Sequence, residues 1–345
     1  MGLLNLLAVP VFILPILNSS LSAAEPAAHY RLTRSVSLGA PDRWDYLVFD
    51  PSSHRVFIAH GDRVTVVDGV DGSIVGQVEG FPGGTHGIAI VPTLGVGYTD
   101  DGRAGQAGAF DLNSFKTLAR VPTAQDADSM AFDPVSGHIF VINGDGGSIT
   151  VIDPKRAAAV ATIQTGAGLE YAVTDDRGKL YVNGAEKKQI IRIDTGSNSI
   201  DARWPVPTCS SPHGLAIDGA AHRLFSTCVN NLMMVVDTDS GAIVASLPIG
   251  SGTDAAAFDP KRRLIFSSNG RDGTLSVIRE VDAQTFRPAG TVQTALSART
   301  MTIDPASGRL YLAAAQVRPP PPGSPAGARP AVIPGTLELR FYDPE

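Results

Sequence analysis

One phrase returns seven times along the chain: an apolar stretch, a turn built on Asp-Pro or a similar pair, and a second stretch with alternating apolar residues. The first copies are YLVFDPSSHRVFIAHG (46–61), GIAIVPTLGVGYTDDG (87–102), SMAFDPVSGHIFVING (129–144) and YAVTDDRGKLYVNG (171–184). GLAIDGAAHRLFSTCVN (214–230), AAAFDPKRRLIFSSNG (255–270) and TMTIDPASGRLYLAAA (300–315) complete the set. Apolar alternation on both sides of a tight turn is hairpin grammar. A fixed-period repeat constrains the architecture more than any local motif.

A third strand follows each hairpin and closes on an acid: Asp68, Asp111, Asp153, Asp194, Asp237 and, in the last copy, Asp343. The sixth copy departs, with Arg279 at that place. Six third strands are followed by a fourth, and the missing seventh is supplied by YRLTRSVSLG (30–39), which precedes the first hairpin. A strand from one terminus that completes the last sheet is how a ring of sheets is latched, and closure removes exposed edges. The spacing, about 46 residues per unit, fits a propeller. The expectation is an all-β fold: one seven-bladed β-propeller with four-stranded blades, closed by the N-terminal strand. An open solenoid or a pair of sandwiches would leave that strand unexplained.

With Tyr181-Val182-Asn183 in KLYVNG and the recurring Asp-Pro and V-x-V-x-D phrases, the chain resembles the YVTN-repeat, YncE-like β-propeller family over residues 29 to 345. The resemblance implies the fold. It leaves the activity open, because such propellers serve as binding modules, lactonases, lyases and metal sites.

Residues 1–24 read as a secretory leader, apolar from Leu3 to Leu17 and ending in Ser22-Ala23-Ala24. The apolar run is shorter than the roughly 20 residues of a membrane span. It lacks a Lys or Arg after Met1, and Pro10 and Pro15 interrupt it. The single propeller domain is expected over 25–345, with the proline-rich segment 316–335 inserted in the last blade as a surface loop or a flap. Cys209 and Cys228 are the only cysteines and lack a C-x-x-C spacing, so in a periplasmic or secreted protein they are expected to form a disulfide.

In each blade the innermost strand begins on the face where the second strand ends, so those residues converge around one mouth of the channel. The seven strand starts are Asp45, His86, Asp128, Glu170, His213, Asp254 and Arg299. Strict alignment puts Leu169 at the fourth place and Glu170 one residue later, which leaves its facing open. The strand-two ends add His60, Thr99, Asn143, Asn183, Asn230 and Asn269, the asparagines in turn contexts. Each ring residue alone can cap a neighbouring turn. Together they would perturb one another's titration, as functional sites do.

The ligand-binding set is therefore Asp45, His60, His86, Asp128, Glu170, Asn183, His213, Asp254, Asn269 and Arg299, with His86, His213 and Arg299 as catalytic candidates. Mixed His and carboxylate donors would suit a divalent metal, with His86, His213, Asp128 and Asp254 as ligands. Arg299 would suit an anionic group. The first functional expectation is an exported binding propeller for a small anionic ligand, a glycan or a protein partner, acting as a monomer. The alternative is a metal-assisted lactonase or lyase acting on an anionic sugar or lactone. Net charge of −6 and 6% aromatics disfavour duplex and single-stranded nucleic acid. Nucleophile-elbow, P-loop and dinucleotide fingerprints are absent from the sequence.

Overall fold

The computed structural model describes Met1, residues 28–321, residue 323 and residues 330–345. The leader expected over 1–24 lies, apart from Met1, outside the described residues. Seven antiparallel four-stranded sheets account for nearly all regular structure. In the first, Leu47–Asp50, Arg55–His60, Arg63–Asp68 and Ile74–Glu79 lie side by side in chain order. The next five blades repeat this meander. In the last, Thr300–Ile303, Leu310–Ala314 and Glu338–Pro344 are followed in space by Tyr30–Ser37, with Tyr30 opposite Pro344 and Ser37 opposite Glu338. The expected latch is present.

The acids of the repeat make the turns. At the end of the first strand, Asp50, Asp218, Asp259 and Asp304 accept the N–H two residues on, at 3.0, 2.8, 2.9 and 2.9 Å. Asp68, Asp111, Asp153 and Asp237 do the same after the third strand. Such Asx turns satisfy backbone donors that the reversal would otherwise leave unpaired. The departure at Arg279 also has its reason: strands Thr274–Asp282 and Thr285–Gln293 are longer than their counterparts, and Asp282 caps the displaced turn by accepting Gln284 N–H at 2.8 Å.

Apolar side chains of each strand face the neighbouring blade, giving seven core clusters, one per seam. Phe57, Val66 and Phe110 fill the first seam, and Ile142, Leu180 and Val182 the third. The cluster of Leu47, Ile58, Tyr311 and Phe341 joins the last blade to the first. Ring closure is therefore made by core packing as well as by the strand latch.

Two local features shape one face. Cys209 and Cys228 form a fully buried disulfide with Cα atoms 5.3 Å apart, tying the loop before the fifth inner strand, Pro212–Asp218, to the end of its partner. The proline-rich insertion begins and ends in a short ribbon of its own: Val317–Arg318 pairs with Ala331–Val332. Its base is fixed by Asp42, whose carboxylate accepts the N–H groups of Gly335, Thr336 and Leu337 at 2.6, 2.9 and 3.1 Å.

Candidate functional site

All seven strand-start residues line one axial cavity of about 1110 Å³. Glu170 faces it, whereas Leu169 is buried in the seam between the third and fourth blades. Inner strands of successive blades touch all the way round. The two His-Gly pairs explain how. A Cβ on Gly87 would lie 2.7 Å from the backbone of Ser129 and Met130, and one on Gly214 2.6 Å from that of Ala255. Glycine after each histidine lets the next inner strand close in, and the histidine stands at that crossing.

His86 is seated on a buried acid that the sequence did not single out. Its Nδ1 is 2.7 Å from Asp100 Oδ2, and Asp100 Oδ1 accepts the backbone N–H of His86 and Gly87 at 2.8 and 2.7 Å. Burial raises Asp100 and by itself would lower His86, but the hydrogen bond and charge of Asp100 prevail and lift His86 to about 9. The pair therefore holds a proton on Nδ1 at neutral pH, and Nε2 is the nitrogen left for a ligand.

Across the ring, Arg299 Nε donates to Asp254 Oδ2 at 2.8 Å and its guanidinium to the Trp44 carbonyl at 2.7 Å, with the Trp44 ring 5.0 Å away. His213 Nδ1 lies 3.2 Å from Asp254 and 3.5 Å from Glu170. Burial works against ionisation of Asp254, yet His213 and Arg299 hold its carboxyl below the usual range. The other three acids go the opposite way. Burial lifts Asp45 to about 6 and Glu170 to about 7, against Arg299 and His213 respectively, and it raises Asp128 well above the carboxylate range, reinforced by Asp45 and Glu170.

One residue deeper than Asp45 and Glu170 stand Tyr46 and Tyr171, from the first and fourth blades. Their ring centroids meet 4.6 Å apart across the axis. The pair spans the channel beneath the acids, which makes the site a cup with a tyrosine floor. Tyr46 is only 4% exposed and lines the cavity. Sequence reasoning missed both tyrosines, although the dipeptides Asp45-Tyr46 and Glu170-Tyr171 occupy matching places in two blades.

Three sequence-predicted ligand residues do not reach the cup. His60 is fully buried, with Nδ1 2.8 Å from Thr65 Oγ1 and Nε2 2.7 Å from the Pro41 carbonyl. Asn183 donates to the carbonyls of His213 and Gly214 at 2.6 and 3.2 Å, so it positions the histidine strand. Asn269 bonds Thr274 and Ser276 within its own blade. At the ends of second strands these side chains point into the sheet stack and satisfy buried groups there. Thr99 and Asn143 are spent likewise, on Gly87 and on Ser148 and Thr150.

The four metal candidates do not form one cluster. Among the described residues no three His, Cys, Asp or Glu side chains converge as metal ligands. His86, His213, Asp128 and Asp254 are spread around a ring, whereas a divalent ion needs donors within about 2.0–2.6 Å of one point. Arg299, expected to take an anion, is already paired with Asp254.

No family model matches the chain. YncE of Salmonella typhimurium (strain LT2) is 26% identical over 216 residues, 61% of this chain and 60% of that protein, and YncE of Salmonella typhi matches to the same extent. The match thus spans less than two thirds of those relatives. Hydrazine synthase of Kuenenia stuttgartiensis superposes with a TM-score of 0.69 over 77% of this chain and 91% of that one, at 14% identity, a likeness of fold. With seven latched blades the chain is a seven-bladed β-propeller, and over 61% of its length its sequence is similar to YncE.

Proposed function

We propose that the protein is an exported propeller that binds a small polar ligand in the axial cup. One observation carries the reading: residues as far apart in sequence as Asp45 and Arg299 line a single cavity whose ionisable groups are displaced from their ordinary titration ranges. Concave sites with a few convergent polar groups and perturbed acids are where ligands bind. Export is supported by the buried Cys209–Cys228 disulfide, since such bonds persist in oxidising compartments.

The test is a thermal-shift screen of small cationic, neutral and anionic compounds on the wild type and on Val229→Trp. Val229 is 49% exposed on the rim of the cup, so the larger side chain obstructs the mouth without entering the core. A ligand at 100 times its dissociation constant adds about 2.7 kcal/mol of stability. The expected result is a compound that raises the melting temperature of the wild type and loses that effect in Val229→Trp. Equal shifts in both proteins, or none in either, would refute the cup as a binding site.

A second reading, general acid–base catalysis on a lactone or sugar acid, is favoured by the Asp100–His86 pair alone. With its proton held to about 9, His86 would act at neutral pH as an acid through Nε2. Loss of lactone turnover in His86→Gln with ligand binding retained would support it.

A further inference from the structure

We propose that the cup recognises an organic cation, a protonated amine or guanidine on an apolar body, with Asp45, Asp128 and Glu170 facing the charge and the Tyr46 hydroxyl at its base. This deepens the binding reading above and rests on it.

The charge balance points there first. Arg299 is bonded to Asp254 and to the Trp44 carbonyl, with Asp45 at 3.9 Å, and His86 is bonded to Asp100. His213 is shared between Asp254 and Glu170. Asp128 accepts no hydrogen bond and enters no ion pair among the described residues, while it lines the cavity. The remaining cations on the lining, Arg43 and Arg271, are solvent-exposed at the rim, where water screens them. Acid is thus in excess deep in the cup. Once ionised, these acids would repel an anion and attract a cation.

The spacing of the acids then selects the kind of cation. They do not converge tightly enough for a metal ion, but an ammonium or guanidinium presents several N–H donors in different directions and reaches separated carboxylates. Tyr46 supplies an independent observation. Its side chain is 4% exposed and lines the cavity, and its hydroxyl has no hydrogen-bond partner among the described residues. Burial and then the charges of Asp128, Asp254, Asp45 and Glu170 keep that hydroxyl protonated. That hydroxyl opens onto the cavity, where it can hydrogen-bond a ligand. Above the acids part of the wall is apolar: Val229 and Leu296 are 49% and 52% exposed, and Val317 and Val332 of the inserted ribbon join them. A ligand with a charged head and an apolar body matches both levels.

Proton linkage gives the inference a signature. In the ligand-free protein Asp45, at about 6, Glu170, at about 7, and Asp128, higher than ordinary, hold protons that a bound cation displaces. The groups facing them are Asp254, Asp100, Tyr46, His86, His213 and Arg299. Affinity should therefore rise with pH.

Calorimetric titration of the full chain with 2-phenylethylamine, 2-phenylethanol and 3-phenylpropionate, matched in shape and differing in charge, decides the matter. The amine should bind and the other two should not. Asp128→Asn and Glu170→Gln should each weaken binding about tenfold, and wild-type affinity should increase about tenfold from pH 6 to pH 8. Asp62→Asn, on the surface outside the cup, should leave binding unchanged, and circular dichroism reports that each variant is folded. Binding of the propionate or the alcohol as tight as that of the amine, or affinity indifferent to both substitutions, overturns the cation. If that binding is lost in Val229→Trp, the cup remains the site. Absence of binding by all three probes also overturns the cation inference, while the wider screen judges the cup separately.

Discussion

Replacing Glu170 with glutamine should stabilise the ligand-free protein at pH 8 and leave it unchanged at pH 5. In the fold, burial lifts this carboxyl from 4.5 to about 7 despite His213. A group raised on folding contributes stability that is complete below its unfolded value and is lost as pH climbs through the folded one. At about 1.4 kcal/mol per unit, ionising Glu170 in the folded protein costs up to about 3 kcal/mol. The side chain is 23% exposed to the cavity, and water there reduces the figure to about 1–2 kcal/mol. Asp45 acts in the same direction through about 6. The wild-type melting temperature should accordingly fall between pH 5 and pH 8. Glutamine, which resembles the protonated acid, should recover about 1–4 °C of that loss at pH 8. Urea denaturation at pH 5, 6, 7 and 8 measures the difference directly. A Glu170→Gln protein equal to or weaker than wild type at pH 8 would mean that the carboxylate is net stabilised in the cup, and the electrostatic account of the site would fail.

Asp100→Asn should lower the His86 titration from about 9 to 6.5 or below, because burial would then act without the neighbouring charge; an unchanged histidine resonance in NMR titration would show that the pair does not set the proton. Cys209→Ala with Cys228→Ala removes a link across 19 positions, and chain entropy puts the loss near 3 kcal/mol in denaturant unfolding. Quantitative labelling of both thiols in the purified wild-type protein without reductant would remove that expectation.

The ring was legible because a propeller converts a sequence period into spatial convergence. Once the hairpins are aligned, the seven strand starts must meet, and they do, from Asp45 to Arg299. What stayed hidden is whatever depends on neighbours within a blade. Asp100 sits one residue beyond Thr99, the end expected from the repeat, and inside the observed strand Val96–Asp101; nothing in YTDDG tells that it folds back beneath His86 while Asp101 instead accepts Gly83 N–H. His60 and His86 look equivalent as residues near a strand terminus. Thr65 and the Pro41 carbonyl engage both nitrogens of His60, whereas Asp100 takes one nitrogen of His86. Such pairings are set by side-chain direction across strands, which alternation gives only as one face or the other.

The repeat itself separates structural acids from those of the site. Asp50, Asp218, Asp259 and Asp304 recur at one place in their blades because each solves the same local problem, an unpaired backbone N–H at a tight reversal. Where the second blade lacks the acid, at Val91, the turn Pro92–Leu94 closed by Gly95 makes the same reversal, so the need is for the turn and recurs with the blade. The inner-strand starts obey no such rule: four acids, two histidines and an arginine face one cavity from matching places, Glu170 rather than Leu169 taking the fourth. Backbone capping alone cannot demand that variety, since every blade offers the same backbone there. The variation has meaning only relative to a common centre where the side chains act jointly, one acid beside Arg299, one beside His213, and Asp128 facing the cavity alone. In a cyclic fold it is the departure from the repeat, more than the repeat, that carries the chemistry.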